Sequence, residues 1–473
     1  MQNINQIYID GAFVTPHGTE TIDIINPTSG TPLARTTLAD VEDTRRAVNA
    51  AKRALPAFSQ TAVAGRVAML KRLHAAVLER GDDLRDATIR EYGAPVSRAT
   101  WISHFAAQSF LDAAATLEAY EFSRVAGSSI VLMEAVGVAA LITPWNSTAG
   151  SICNKLAMAI AAGCTSVIKP SELSPIQNRV VTEAIHAAKL PAGVVNIVAG
   201  RGDIVGAELS THPDIAKISF TGSTAVGKII QRAASDSVKR VHLALGGKSP
   251  SIILDDADLA KAVPLALNAA FMNNGQACIA GTRLLVPARR LQEVIALVRE
   301  TIASMKVGDP AEPTTVIGPL ANRNQYERIQ HYIRLGLAEG ATLVTGGEGH
   351  PAGLDKGYFV KPTVFVNVHN NMSIAREEIF GPVLSILTYG SDEEAIEIAN
   401  DTVFGLHAYI MSSNLVRAKA VAGRLQAGRV MINSLQHDPL APFGGYKQSG
   451  VGREYGVLGL ESYLEAKTLL GVL

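Results

Sequence analysis

Cysteine is scarce in this chain. Its 473 residues include three, Cys153, Cys164 and Cys278. An odd number at wide spacing is not a disulfide framework, and no CxxC pair or Cys/His cluster has the spacing of zinc ligands. The sequence therefore predicts no metal site, and its few, reduced thiols favour a cytoplasmic location.

Long apolar runs and a surplus of one charge are also missing. Stretches such as GVAALI and LAMAIAAGC fall short of the roughly 20 residues that span a bilayer, and the polar N-terminal segment has no basic-then-apolar signal pattern. Lys plus Arg and Asp plus Glu both number 43, so the formal net charge is zero. This balance excludes bulk attraction to nucleic acid or anionic membranes, and we expect neither as a partner.

What the chain does have is a regular alternation of strand-like and helix-like segments. From Val138 onward, short β-branched runs (VAALI, TSVIK, VVNIV, AKISF, SIILDD) alternate with helical patterns, and the alternation resumes after Cys278 with RLLVPA, SILTYG, HAYIMS and RVMIN. This pattern predicts an α/β protein with parallel sheets covered by helices. Ligands of such sheets bind at the carboxyl ends of the strands, so the residues after each run are the candidate site.

Three unusual segments follow these runs. TPWN, residues 143–146, ends with Asn146, whose carboxamide can donate a hydrogen bond to an oxyanion. KPSE, residues 169–172, places a Lys and a Glu where ribose hydroxyls bind in dinucleotide sites. FTGSTAVG, residues 220–227, opens a helix at which Gly222 and free N–H groups suit a pyrophosphate. Taken alone, TPWN is more typical of a capped turn and KPSE of a plain helix start, whereas FTGSTAVG is equally typical of a structural turn and of a phosphate site.

Cys278 lies in MNNGQACIAGTR, among small and polar residues. An inert buried cysteine usually lies among large apolar residues, so a cysteine in a polar loop after a helix is a candidate nucleophile. Two further segments are distinctive, EEIFGPV at 377–383 and PFGGYKQSGVGRE at 442–454.

Together, these segments resemble the aldehyde dehydrogenase superfamily. The family order PWN, KPSE, FTGST, LxLGGKSP, GQxC, EEIFGPV and PFGGxKxSG runs through essentially the whole chain. The resemblance implies a Rossmann-like NAD(P)-binding domain at 1–120 and 138–246, an α/β catalytic domain at 247–445, and a small β oligomerisation arm at 121–137 and 455–473. Because an exposed strand edge needs a partner, we expect a homodimer or homotetramer.

The resemblance also implies roles for single residues. Cys278 would attack a small-molecule aldehyde, and Asn146 with the Cys278 backbone N–H would form the oxyanion hole. The thiohemiacetal would give a hydride to NAD(P)+ and leave a thioacyl enzyme. Lys155 and Glu454 would lie behind the active site as a proton path.

The cofactor would be NAD, with NADP as the alternative. Lys169 and Glu172 would hold the adenosine ribose, and Glu378 the nicotinamide ribose. Glu172 favours NAD because a carboxylate repels a 2′-phosphate. The expected contacts are Thr143, Pro144, Trp145, Lys169, Ser171, Glu172, Phe220, Thr221, Gly222, Ser223, Leu245, Gly246, Glu378 and Phe380.

One position departs from the family pattern. The family segment usually reads LELGGKSP, with the Glu as the base that activates the deacylating water, but this chain reads LALGGKSP with Ala244. A positioned general base contributes about 10²–10⁴-fold to rate. The sequence thus predicts that acylation and hydride transfer survive, weakened, while hydrolysis nearly stops. The leading hypothesis is a deliberate Glu-to-Ala change that traps an acyl complex. The alternative is a natural enzyme with coenzyme A as acceptor or Glu454 as base.

The substrate is expected to be a medium or bulky apolar aldehyde, aliphatic or aromatic. The small residues 147–149 suggest room in the entry channel, and Trp101, Phe105 and Leu435 are expected to line it. No arginine marks a carboxylate-bearing substrate. Two alternatives stay open: a coenzyme A-acylating semialdehyde dehydrogenase, and a catalytically silent binding or structural member of the fold, as lens crystallins recruited from this family are.

Overall fold

The computed structural model describes residues 1–472, which form two helix-covered main sheets and two small three-stranded sheets. The strands are β1 (Gln2–Ile4), β2 (Ile7–Ile9), β3 (Ala12–Val14), β4 (Thr21–Ile25), β5 (Pro32–Thr37), β6 (Ser123–Ala126), β7 (Ser129–Ala135), β8 (Val138–Ile142), β9 (Ser166–Lys169), β10 (Val195–Ile197), β11 (Ile215–Thr221), β12 (Arg240–Ala244), β13 (Pro250–Ile253), β14 (Arg283–Pro287), β15 (Thr342–Thr345), β16 (Thr363–Val366), β17 (Val383–Tyr389), β18 (His407–Met411), β19 (Arg429–Ile432), β20 (Gly450–Val451) and β21 (Leu464–Leu469).

Helices pack against both main sheets. They are α1 (Val41–Phe58), α2 (Val63–Glu79), α3 (Gly81–Tyr92), α4 (Val96–Glu118), α5 (Thr148–Ala162), α6 (Pro175–Ala187), α7 (Ala207–Thr211), α8 (Thr224–Ser235), α9 (Leu259–Phe271), α10 (Leu291–Ser304), α11 (Arg323–Ala338), α12 (Ser373–Arg376), α13 (Asp392–Asn400), α14 (Leu415–Ala422) and α15 (Gly456–Glu461). Among the described residues, no helix has the length and apolar character of a membrane span.

The first main sheet has eight strands in the order β20-β12-β11-β8-β9-β10-β2-β3. Strands β8 to β12 run parallel, whereas β20 and β2 pair antiparallel with β12 and β10. Every residue of β8, β9 and β10 is buried, which is why these strands are continuous apolar runs in the sequence. The carboxyl ends of β12, β11, β8 and β9 are neighbours, so the segments that follow them meet at one edge.

The second main sheet has seven strands in the order β15-β16-β17-β14-β13-β18-β19. All its neighbours are parallel except β15 and β16. The SIILDD run, which continues the first alternation in the sequence, supplies β13 in the middle of this second sheet. The α/β class with parallel, helix-covered sheets that the alternation predicts is confirmed.

A three-stranded antiparallel sheet joins residues near 130 to the end of the chain. Its order is β21-β7-β6, and Leu464 pairs with Ala135 while Leu469 pairs with Ile130. Every residue of the edge strand β6 is exposed. The two segments proposed for an oligomerisation arm therefore pair with each other and present a free strand edge.

Candidate active site

A cavity of about 1180 Å³ is lined by residues from both main sheets. It brings together Asn146, Lys155, Cys278 and Glu454, which the sequence separates by more than 300 positions. Its apolar walls include Trp101, Phe105 and Leu435, the three residues expected along the entry channel. Its chemistry-bearing groups thus lie beside a wall that accepts an apolar molecule.

The expectation for residues 147–149 is partly wrong. Ser147 lines the cavity, but Thr148 and Ala149 are fully buried in the first turn of α5. Helical periodicity turns these two side chains into the core and brings the next helical turn, at Gly150 and Ser151, to the cavity instead.

The loop that carries Cys278 is held by a strained turn. Asn273 and Asn274 both have positive φ, at 56° and 59°. Gly275 follows with φ +72°, and a Cβ there would lie 2.2 Å from a backbone carbon of Gly381. Backbone strain of this kind persists only where the surroundings hold it, and here it directs the chain toward the cavity.

Buried hydrogen bonds secure the same loop. The Tyr92 hydroxyl donates to the Asn273 carbonyl at 2.9 Å and accepts from the Gln276 amide at 3.1 Å. Sequence reasoning did not identify Tyr92 or Gln276 as supports of the loop. Each contact joins residues more than 180 positions apart, so no local pattern could have revealed it.

The Cys278 thiol is protonated at rest. Burial raises its pKa to about 12, and the Glu378 and Glu454 carboxylates act in the same direction. Only the thiolate is a strong nucleophile, so Cys278 needs a base or a bound ligand to become reactive. Cys153 and Cys164 are buried in the hydrophobic core and do not line the cavity.

The raised pKa predicts how Cys278 reacts with iodoacetamide. The thiolate fraction grows tenfold with each pH unit while the pH stays below the pKa. We therefore expect the alkylation rate of Cys278 to rise about tenfold per unit from pH 7 to pH 9, followed by intact mass and peptide mapping. Glu378→Gln removes one of the carboxylates and should speed the reaction at every pH. A rate that levels off below pH 8 would contradict this picture.

Asn146 is tied to the cysteine loop from the other side of the cavity. It follows β8, and its side-chain amide donates to the Gln276 carbonyl at 2.9 Å. Its own carbonyl accepts from the Asn273 amide at 3.1 Å. A carboxamide has two N–H donors, so one stays available to an oxygen atom in the cavity.

Lys155 and Glu454 form an ion pair in the cavity wall. The Lys155 ammonium also donates to the Ser219 hydroxyl at 2.9 Å, and His242 Nδ1 lies 3.5 Å from the same carboxylate. Burial opposes the charge of Glu454, but Lys155 and His242 outweigh it and lower the pKa of the carboxyl below its usual value. Glu454 is therefore a carboxylate at neutral pH and can accept a proton.

Ala244 is the last residue of β12 and is buried. It pairs with Thr221 on β11, a residue of the cavity wall, and with Gly450 on β20. Gly450 has φ +138°, and a Cβ there would lie 1.8 Å from the Leu243 carbonyl oxygen. The strand end beside the cavity is thus closely packed, and its side chain at 244 is a methyl group with no acid–base chemistry.

The remaining candidate residues lie along the carboxyl edge of the first sheet. Lys169 ends β9, is buried, and pairs with Glu172 at 3.0 Å. Ser171 is buried beside them and caps the turn by accepting from the Leu173 N–H at 3.2 Å. Pro144 lines the cavity, and the buried Thr143 hydroxyl has no hydrogen-bond partner within residues 1–472. Charged and polar groups are therefore concentrated at this edge.

The turn after β11 leaves room above a helix start. A Cβ at Gly222 would lie 2.4 Å from the Phe220 ring, so a larger residue there would require this ring to move. Ser223 caps α8 by accepting from the Val226 N–H at 3.3 Å. The first turn of α8 and Glu378 line one cavity of about 380 Å³. A helix N-terminus facing a cavity is suited to a pyrophosphate.

Glu378 lies on the opposite wall, next to Leu245 and Gly246. Its Oε1 accepts from the Gly247 N–H at 3.1 Å, and a Cβ at Gly246 would lie 2.4 Å from Oε2. Burial raises the pKa of Glu378 to about 7. Phe380 has φ +66° and packs edge-to-face on Trp145 at 5.5 Å. An under-bonded carboxylate, a glycine cradle and an aromatic wall fit a nicotinamide nucleotide.

Comparisons with known proteins agree with this geometry. The aldehyde dehydrogenase family model matches residues 13–469. A 3-succinoylsemialdehyde-pyridine dehydrogenase from Pseudomonas sp is 44% identical over all of this chain and 99% of its own length. The chain belongs to the aldehyde dehydrogenase family, whose members depend on NAD(P).

Solved structures show the same fold with ligands. A crystal structure of an aldehyde dehydrogenase C variant from Pseudomonas syringae, in complex with NAD+ and octanal, has a TM-score of 0.98 at 45% identity, covering 99% of this chain and 97% of that one. The NAD+ complex of an aldehyde dehydrogenase from Bacillus cereus has a TM-score of 0.94 at 37% identity, covering 98% and 96%.

Proposed function

We propose that this protein oxidises a medium or bulky apolar aldehyde to its carboxylic acid with NAD+, using Cys278 as the nucleophile. The observation that carries the proposal is the convergence of Cys278, Asn146, Lys155 and Glu454 on one cavity with apolar walls. The relative that binds octanal with NAD+ supports the same class of substrate. When bound, the cofactor supplies the hydride acceptor.

The residues divide the reaction between them. Cys278 Sγ bonds to the aldehyde carbon while the thiol proton passes to the Glu454 carboxylate, and the carbonyl oxygen becomes an oxyanion that accepts from the Asn146 amide and the Cys278 backbone N–H. Loss of hydride from the resulting thiohemiacetal leaves a thioester on Cys278. Water then cleaves the C–S bond, giving the acid and the free thiol. The proton released by this water needs a base, and we assign this role to Glu454, ionised again after it has passed the thiol proton to solvent.

The cofactor would lie along the carboxyl edge of the first sheet. Lys169 and Glu172 would hold the adenosine ribose, the α8 N-terminus the pyrophosphate, and Glu378 the nicotinamide ribose. Glu172 favours NAD over NADP by repelling a 2′-phosphate. NAD+ complexes of two similar enzymes support this choice.

We further propose that deacylation is the slow step of this chain. Ala244 cannot activate water, and Glu454 is engaged by Lys155. The thioester would accumulate, as expected if a Glu has been exchanged for Ala to trap it. The test is to mix the protein with NAD+ and an aldehyde panel, follow NADH, and weigh the intact protein. One NADH per site with an acyl mass on Cys278 supports the proposal. Steady turnover without a burst contradicts it.

Replacing Asn146 with Ala should slow formation of NADH. The oxyanion would lose one donor, a change that typically costs about 10²–10³-fold in rate. The burst rate constant measures the effect, because it precedes deacylation. Asn146→Asp is the matched comparison, since it keeps the size but places a negative charge beside the oxyanion and should be slower still. If the burst rate constant were unchanged in both variants, Asn146 would not be part of the oxyanion hole.

Ala244 also favours a second candidate, transfer of the acyl group to coenzyme A. A thiol acceptor deprotonates more readily than water and depends less on a general base. Adding coenzyme A to the trapped thioester and measuring acyl-coenzyme A separates this reaction from hydrolysis. A silent, non-catalytic role would instead leave the protein able to bind NAD+ but unable to form NADH or an adduct with any aldehyde.

We also propose that the protein assembles as a homodimer or homotetramer through the arm. The exposed strand β6 presents unpaired backbone groups at the edge of the β21-β7-β6 sheet. Such edges are usually covered in stable proteins. Light scattering of the intact chain and of a variant with Pro at Val125 would test this role.

A further inference from the structure

Arg98 is an arginine in the wall of the large cavity without a counter-charge. It lies in the first turn of α4. Within residues 1–472 its guanidinium makes no hydrogen bond or ion pair, and its Nε is buried without a partner. Its guanidinium carbon lies 4.1 Å from the centroid of the Trp101 ring.

Two effects make this location costly for a positive charge. Burial lowers the pKa of Arg98, and among the groups near it only the Tyr92 hydroxyl opposes that effect. The first turn of α4 contains no acidic residue, so the positive end of the helix dipole adds to the cost. Arg98 is partly exposed, with its Nε buried, and a cation in such a position normally has a carboxylate partner. An unpaired one is typical of a site where a ligand brings the opposite charge.

Arg429, the other arginine of the cavity wall, is different. Its guanidinium donates to the Pro442 carbonyl at 2.9 Å and to the Asp438 carbonyl at 3.2 Å, and it also bonds the Ala441 carbonyl. Its donors hold the loop at residues 438–442 in place. Arg98 has no comparable structural task, apart from its packing on Trp101.

The cavity wall carries the Asp112 and Glu454 carboxylates, and arginines of the chain already cover several of its aromatic rings. Trp101 is covered by Arg98 on one side and stacks with Phe105 at a centroid distance of 5.0 Å. Arg429 lies 5.4 Å from the ring centroids of both Phe443 and Tyr455. The aromatic faces that would attract a cation are therefore already occupied by arginines of the chain itself.

We propose that Arg98 binds a carboxylate at the far end of the substrate, so that the preferred substrates are aldehydes with an apolar chain and a terminal carboxylate. This inference rests on the proposed oxidation at Cys278 and narrows its substrate class. The sequence alone did not single out this arginine, because VSRATW looks like an ordinary helix start. The fold places its side chain in the same cavity as the nucleophile.

The test compares matched pairs of aldehydes, each an alkanal and the aldehyde of equal chain length that ends in a carboxylate. The rate constant of the NADH burst divided by the half-saturating concentration is measured, because slow deacylation does not affect it. We expect the carboxylate member to be favoured about 10- to 100-fold at the best chain length, the factor that a hydrogen bond to a charged group provides. Arg98→Met should abolish this preference and leave the alkanal within about twofold, a change below the weight of one hydrogen bond.

Two control variants separate the effect of the Arg98 charge from the effect of its packing. Arg98→Lys keeps the charge and should keep part of the preference. Arg90→Met removes one exposed positive charge from α3 and should change nothing. Equal rates for both members of every pair, or a preference that survives Arg98→Met, would overturn the assignment.

A second readout does not depend on turnover. Unreactive dicarboxylates and diols of matched length are compared as protectants of Cys278 against iodoacetamide. Stronger protection by the dicarboxylate that is lost in Arg98→Met supports the subsite, and equal protection by both overturns it. If no aldehyde yields NADH, the proposed oxidation fails, and this protection assay still decides the role of Arg98.

Discussion

Replacing Ala244 with Glu should raise the steady rate of acid formation by about 10²–10⁴-fold, the contribution of a positioned general base. Ala244 ends β12 and pairs with Thr221, which lines the cavity that contains Cys278, so we expect a Glu side chain at this position to reach the water that attacks the thioester. NADH should then form at a constant rate without an initial burst, because hydrolysis of the thioester would no longer be slower than hydride transfer. The rate of acid formation is measured from steady-state NADH formation and by titration of the acid that is released.

Ala244→Gln is the matched control, since it has the size of Glu but cannot accept a proton. Both variants place a larger side chain beside the tightly packed Gly450, so their melting temperatures must be compared with the parent. A rate of acid formation that increases in Ala244→Glu but not in Ala244→Gln supports the trapped-acyl hypothesis. If Glu is no faster than the parent, another group already serves as base. Glu454→Gln, which should then stop turnover, identifies that group.

Much of the fold was predictable because the relevant forces are local. β8, β9 and β10 are buried on both faces, so VAALI, TSVIK and VVNIV had to be apolar throughout, and that pattern is visible in the sequence. The carboxyl-edge position of TPWN, KPSE and FTGST followed from the geometry of parallel strands. The motifs and the parallel sheet together therefore predict the candidate site from the sequence.

The rest depends on contacts between distant parts of the chain. Strand β20 returns from the PFGG segment to pair with β12, and Glu454, which follows β20, forms its ion pair with Lys155. Arg98 has no polar partner and therefore no sequence signal, and Tyr92 supports the cysteine loop from a different helix. The roles of such residues depend on their neighbours in the folded protein, and the same residue types occur in many other environments.

Replacing Cys278 with Ala should abolish both the NADH burst and the acyl adduct. Loss of a covalent nucleophile typically reduces rate by about 10⁴-fold or more, since the remaining groups have no bond-forming partner. Binding of NAD+, followed by quenching of tryptophan fluorescence, should be unchanged, because Cys278 is not among the residues proposed to hold the cofactor. The Cys278→Ala variant should therefore lose the rate of NADH formation while its affinity for NAD+ stays the same.

Cys153→Ala is the matched control for this loss of a thiol. Cys153 is buried in α5 among core residues and does not line the cavity, so its removal should lower stability slightly while the burst persists. If the Cys278 variant still gave a burst, the hydride would have to leave a hydrated aldehyde without a thioester, and the trapped-acyl explanation for Ala244 would fail with it. The two cysteine variants thus decide whether the reaction forms a thioester on Cys278. The interpretation of Ala244 depends on that thioester.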